Sequence, residues 1–377
     1  MKNETGSKWL GKLVRSMALA GLTSMAATGA WAQEEKVLNI YNWSDYIAED
    51  TIQNFEKETG IKVRYDTFDN NEIVHAKLVA GKTGYDIVVP SSTFARMQID
   101  GGLFQKIDKS AIPNLKNMDP DLQSKISDGV DPGNQYLVNW LWGYTTVGIN
   151  TAKVKAALGS EPIPENVWEL FFNPKYVSKL KSCGVSVLDA PTEILPAALH
   201  FLGRDAYSKN PNDYRDAADL LKTVRPHVTL FSSSGYINDL ASGALCLSLG
   251  WSGDIAQARQ RAIDAKNGND IVALVPKNGG LLFFDMMAIP ADAPHAKNAH
   301  VFINYILRPE VHAAISNKVK YANPNKESRK FINEAVAKNP AVFPSSAEMA
   351  KMVPPKALTN DVRRLATRTF TGFKTGL

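Results

Sequence analysis

Cysteine is nearly absent from this 377-residue chain, with Cys183 and Cys246 its two copies. A framework of several disulfides and a Cys-based metal site are both excluded. The six histidines, His75, His200, His227, His295, His300 and His312, are scattered. None forms H-E-x-x-H or joins a Cys/His cluster. No Walker loop and no G-x-G-x-x-G occurs, so neither a metal nor a nucleotide cofactor is expected. No run of Lys and Arg with interleaved aromatics is present, which argues against nucleic acid as a partner. Beyond the first 32 residues no stretch of 18 apolar residues exists, hence no membrane span is expected. Internal repeats and low-complexity segments are lacking too. What remains is an ordinary globular balance, 44% hydrophobic and 21% charged, long enough for one large or two medium domains.

The first 32 residues read as a secretory signal peptide. Lys2, Lys8, Lys12 and Arg15 give a basic start, "SMALAGLTSMAATGA" a weakly apolar core, and Ala30-Trp31-Ala32 an A-x-A site with cleavage expected after Ala32. The core is too short, and too interrupted by Ser and Thr, to span a membrane. An amphipathic mitochondrial presequence is the alternative, against which Glu4 and the A-W-A site both argue. No cysteine adjoins the cleavage point to carry a lipid anchor. Removal takes away four basic residues and one acidic one, so the formal charge falls from +5 to +2. Export to an oxidising compartment makes a Cys183–Cys246 disulfide the expectation, with two buried free thiols as the alternative.

The remaining chain alternates strands and helices. "VLNIYNW" (37–43), "IKVRYDTF" (61–68) and "YDIVVPSS" (85–92) read as strands separated by helical patterns. A long β-rich stretch, 136–150, then suits a crossing between lobes. A second α/β series follows, with strands at 184–190, 228–234 and 245–251. "DIVALVP" (270–276) and "LLFFDMMAIP" (281–290) read as a strand pair joined by a Gly-rich turn, and helices follow around 293–307 and 309–318. Two α/β series of parallel type predict two lobes, and ligands in such sheets lie beyond the carboxyl ends of strands.

Those strand ends gather hydroxyls, aromatics and carboxylates. "GWSGD" (250–254) approaches a nucleophile elbow, but Asp254 stands where the second glycine belongs, so a serine hydrolase through Ser252, Asp285 and His295 or His300 is a weak alternative. Asp254 also suits a helix cap, and Trp251 alone suits a core position. In "LLFFDMMAIP", Phe283 and Asp285 share one face while Phe284 and Met286 take the other. An Asp in so apolar a strand needs a partner, and no Lys or Arg adjoins it. Trp251 with Asp254, Phe283 with Asp285, and Trp43 with Asp45 and Tyr46 therefore suit a ligand carrying two or more ammonium groups on an aliphatic middle.

The stretches "YNWSDYIA", "TGYDIVVPS", "SCGVSVLDAP", "YINDLASG", "GWSGD", "FFDMMAIP" and "YAN" together resemble the periplasmic polyamine-binding proteins of ABC importers, nearest their putrescine-binding branch. The resemblance covers nearly all of 37–377. It implies the two-lobed α/β fold of type II periplasmic binding proteins, each lobe a sheet flanked by helices. Lobe 1 is expected from 33–142 plus about 262–315, and lobe 2 from about 143–261 plus 316–377. It further implies an aromatic box of Trp43, Tyr46, Trp251, Phe283 and Tyr321, anchoring carboxylates Asp254 and Asp285, and Glu193 acting near one ligand end, often through water. Polar walls are implied at Ser44, Asp45, Ser91 and Ser233, and the family disulfide at Cys183–Cys246. Phe283 and Asp45 match the putrescine type, whereas spermidine-preferring relatives tend to carry Trp and Glu there. Tyr144 departs from the small residue that relatives often have. The implied protein is a monomeric periplasmic receptor without catalysis or cofactor, docking on an inner-membrane permease. Agmatine, cadaverine and spermidine are alternative ligands.

Overall fold

The computed structural model describes residues 34–376. The expected signal peptide and its cleavage site lie outside the described residues. The strands are β1 Val37–Trp43, β2 Lys62–Phe68, β3 Ile87–Val88, β4 Leu137–Asn150, β5 Val185–Val187, β6 Leu230–Phe231, β7 Leu247–Trp251, β8 Ile271–Leu274 and β9 Leu281–Ala288. The helices that matter for the site are α1 Thr51–Thr59, α2 Asn71–Ala80, α3 Ser92–Asp100, α4 Pro191–Phe201, α5 Pro211–Val224, α6 Tyr236–Ser242, α7 Ser252–Asp264, α8 Ala296–Ile306, α9 Pro309–Val319 and α10 Asn360–Thr375.

One sheet runs through the molecule in the order β2-β1-β3-β9-β4-β7-β5-β6, with β8 also on β4. Its two ends are built alike. β2, β1 and β3 are parallel and meet antiparallel β9; β6, β5 and β7 are parallel and meet antiparallel β4. β4 and β9 pair with each other along Leu137–Thr145, so these two strands join the halves. All of β4 is buried, as its run of aromatic and β-branched residues requires.

The expected hairpin of 270–290 is not formed. β8 pairs with Val147–Asn150 and β9 with Leu137–Thr145, end to end along the same side of β4. The "KNGG" segment is an excursion between them. Gly279, at φ +98°, lets it pass the backbone of Lys351, where a Cβ would meet the carbonyl oxygen at 2.0 Å. The third strand is also shorter than its pattern implies. Pro90 has no N–H to continue the ladder, and Ser91 then makes an isolated bridge with Asp285. β8 lies on the far half of β4, although 262–315 is expected with the first half. Residues of the tail divide as well: Asp119 N–H bonds back to Pro324 O at 2.7 Å, while α10 packs on α4 and α5.

Cys183 and Cys246 are joined as a disulfide, with Cα atoms 5.5 Å apart. It ties the turn before β5 to the residue before β7. No helix of the described residues is long and apolar enough to cross a membrane.

Candidate functional site

β1, β2, β7 and β9 end or pass beside one cavity of about 460 Å³, part of it open to solvent. Rings form its walls. Trp43 and Trp251 meet edge to face at 5.8 Å between centroids, Trp251 and Phe283 at 6.4 Å, Phe283 and Tyr321 at 6.2 Å, and Tyr321 and Tyr46 at 4.9 Å. The chain of contacts runs from one half of the sheet to the other. Trp43 is fixed by its indole N–H, which donates to Val89 O at 2.8 Å.

Two carboxylates face this box. Asp285 accepts from the Tyr46 hydroxyl at 2.6 Å on Oδ2 and from the Ser91 hydroxyl at 2.5 Å on Oδ1. Asp254 accepts from the Tyr236 hydroxyl at 2.9 Å on Oδ2 and from the Tyr321 hydroxyl at 2.7 Å on Oδ1. Both tyrosine oxygens at Asp254 are themselves held, by the Trp251 N–H at 3.1 Å and the Asp254 N–H at 3.2 Å. An ionised carboxylate has about four acceptor positions. Each aspartate thus keeps positions free after its two hydroxyl bonds.

Burial dominates their titration. It pushes Asp254 up to about 6 against the opposing bonds from Tyr321 and Tyr236. It pushes Asp285 up to about 7, opposed by Ser91 and Tyr46 and reinforced by the charge of Asp254. Burial likewise lifts the three tyrosines well above their ordinary range, so they remain donors. Among the described residues neither aspartate forms an ion pair. Arg261, whose charge reaches Asp254 weakly, is paired with Asp45 at 3.2 Å. The site is therefore rich in buried acid and short of cation, a state that a cationic ligand relieves.

Eleven of the twelve expected residues line this cavity: Trp43, Ser44, Asp45, Tyr46, Ser91, Ser233, Trp251, Asp254, Phe283, Asp285 and Tyr321. Asp45 stands at the edge with its side chain 51% exposed, in a left-handed conformation at φ 54° that Asp tolerates better than most residues. Glu193 does not line the cavity. It is buried in the first turn of α4, bonded by the Thr145 hydroxyl, and burial pushes it up to about 7. Tyr144 is fully buried on the opposite face of β4, packed near Gly280 and away from the cavity.

Phe68, Asp69, Ser234 and Ile237 also line the cavity, and Tyr236 holds Asp254 from outside it. Phe68 closes β2 and Asp69 follows it, so the strand-end rule applied to that strand finds them. Tyr236 leaves no such signal.

The "GWSGD" turn changes meaning. Asp254 does not cap its helix: Trp251 is the N-cap residue of α7, no side chain caps it, and the Asp254 carboxylate points to the tyrosines. Its two glycines make room for those tyrosines. A Cβ on Gly250 would meet Tyr236 at 2.7 Å, and one on Gly253 would meet Tyr321 at 2.4 Å. Ser252 is buried and its oxygen accepts from Tyr144 N–H at 3.4 Å. His295 pairs with Asp86 at 3.0 Å, and His300 accepts from Asp108 N–H at 2.9 Å. The serine, aspartate and histidines of the hydrolase alternative are thus each committed elsewhere.

The sequence model of the bacterial extracellular solute-binding protein family matches residues 50–344. The putrescine-binding periplasmic protein PotF of Escherichia coli K12 is 46% identical over 370 residues, 98% of each chain. A putrescine/agmatine-binding protein of Pseudomonas aeruginosa PAO1 is 39% identical over 368 residues, 97% of this chain and all of that one. The solved structure of the spermidine/putrescine transporter substrate-binding protein PotD from Streptococcus pneumoniae superposes with a TM-score of 0.72 at 27% identity, covering 90% of this chain and 99% of that one. The fold is that of the type II periplasmic binding proteins.

Proposed function

From a chain that belongs to the bacterial extracellular solute-binding protein family, we propose a periplasmic receptor that captures an aliphatic diamine, putrescine first, and delivers it to a membrane permease of the ABC class. The observation that carries this reading is the pair Asp254 and Asp285. Both are buried and hydroxyl-held, lack an ion-pair partner among the described residues, and face one aromatic cavity. One ammonium pairs with each carboxylate. Trp43, Trp251, Phe283, Tyr321 and Tyr46 then cover the methylene chain, and ring faces add about 0.5–2 kcal/mol of cation–π attraction per ring where an ammonium sits over them.

The two α/β halves act as lobes that close on the ligand about β4 and β9. Closure excludes water and strengthens each ammonium–carboxylate contact. A diamine of the wrong length leaves a carboxylate buried and unpaired, at a cost of about 3–5 kcal/mol. No bond is made or broken. Closing shifts the open–closed population, which is the signal a permease can read. Asp69 at the mouth favours a triamine such as spermidine as the second reading, since it offers an acid beyond the inner pair.

Trp43 and Trp251 supply the assay. Putrescine should change tryptophan emission to saturation at one ligand per chain, with no turnover of model esters or glycosides. Absence of any response to diamines or polyamines overturns the reading.

A further inference from the structure

α10 packs on α4 and α5 in the second half of the molecule, yet one of its side chains reaches the first half. The guanidinium carbon of Arg363 lies 5.0 Å from the ring centroid of Phe94 on α3. Its Nη2 donates to Leu358 O at 3.0 Å. Its Nε and Nη1 are sealed from solvent and have no hydrogen-bond partner among the described residues. His75 on α2 stands beside the same ring, 5.6 Å from it, and Glu72 on α2 is the acid whose charge Arg363 feels. Among the described residues Arg363 forms no ion pair.

This patch is tied to the ligand cavity without lining it. The Asn71 side chain, at the start of α2, accepts the Ser91 N–H at 2.9 Å, and Ser91 holds Asp285. Ser92, the first residue of α3, accepts the Phe284 N–H at 3.2 Å. Arg363 thus bears on the two helices whose first turns fix one anchoring carboxylate. A half-buried guanidinium with two sealed, unbonded nitrogens, held chiefly by a ring face, is poorly suited to permanent packing, where an apolar residue costs less desolvation. It is well suited to a contact made and broken, because separation returns the charge to water.

We propose that Arg363 is a clasp between the halves: a positioning residue that favours the closed form by stacking on Phe94, without touching the ligand. The proposal rests on the closing-receptor reading above. The measured affinity of such a receptor is its closed-form affinity reduced by the closed fraction. Removing the stack should therefore weaken putrescine binding by about 3- to 30-fold, the range that cation–π contacts supply from exposed to desolvated settings.

The test compares Arg363→Met with Arg364→Met, an exposed neighbour on the same helix whose ion pair with Asp361 is long at 3.7 Å. Putrescine binding is measured by calorimetry and by stopped-flow tryptophan fluorescence, and the unliganded melting temperature is recorded for each. Expected for Arg363→Met is a higher Kd carried by faster dissociation, with an unliganded melting temperature no lower than wild type. Adding Phe94→Leu should then cost little further affinity. A Kd and dissociation rate equal to those of Arg364→Met would overturn the clasp while leaving the receptor reading intact. So would a loss that tracks a fall in unliganded melting temperature. Failure of the wild-type chain to bind putrescine removes the receptor reading and the clasp together.

Discussion

Lowering the pH should weaken diamine binding steeply, by an amount the two aspartates set. Burial raises Asp254 to about 6 and Asp285 to about 7, and a dication requires both ionised. An aliphatic ammonium with an ordinary value of about 10.4 stays charged throughout the range. At pH 5 the free site must give up a proton from each acid, a penalty of about 10-fold at Asp254 and about 100-fold at Asp285. From pH 8 to pH 5 the Kd should rise about 1000-fold, or about 4 kcal/mol. The same values set the direction of proton release: about one to two protons per putrescine at pH 6 and few at pH 8. Isothermal calorimetry in buffers of different ionisation enthalpy reads Kd and proton release together. A Kd flat between pH 5 and 8, with no proton release at pH 6, refutes the assignment of these carboxylates as the anchors.

Four further outcomes are expected. Asp285→Asn should raise the unliganded melting temperature at pH 8 by about 1–4 °C and abolish the shift produced by putrescine. The sign follows from linkage: a carboxyl raised above its ordinary 3.8 favours the fold fully below that value and loses the contribution as pH rises through about 7. The gain should therefore shrink to nothing at pH 4, and a gain independent of pH contradicts the cause. Gly253→Ala should displace Tyr321, whose ring a Cβ would meet at 2.4 Å, and weaken putrescine binding at least about 10-fold with far-ultraviolet circular dichroism unchanged. Glu193→Gln, by contrast, should change affinity less than Asp254→Asn does under the same titration. Reducing Cys183–Cys246, which closes a span of 63 residues, should remove about 4 kcal/mol of stability in the chain-entropy account, visible as a lower urea midpoint.

Where pattern and pairing are local, the sequence shows the outcome. The period of two in "LLFFDMMA" puts Phe283 and Asp285 on the cavity side and Phe284 and Met286 in the opposite core. Strand–helix alternation reveals both α/β halves. Local pattern fails where the partner is distant. β8 and β9 look like a hairpin because a Gly-rich turn separates them, yet β4 offers both a longer edge. Asp254 looks like a cap because it opens a helix, yet Tyr236 and Tyr321 outcompete the backbone for its oxygens. The resemblance implies Glu193 near one ligand end; its carboxylate lies behind the lining ring of Trp251, bonded to that side chain and to the Thr145 hydroxyl. Gly250 and Gly253 read as remnants of a nucleophile elbow. Their role is visible only once the two tyrosine rings lie on them.

Two buried acids at a fixed spacing read the two ends of a diamine in this reading of the cavity. Titration of the wild-type chain with linear diamines of two to seven carbons, alongside butylamine, tests it most directly. Expected are one ligand per chain, a single optimum at or next to four carbons, and a loss of about 100-fold or more for the monoamine, which leaves one acid unpaired. Equal affinity across the diamine series, or butylamine binding as tightly as putrescine, would contradict it.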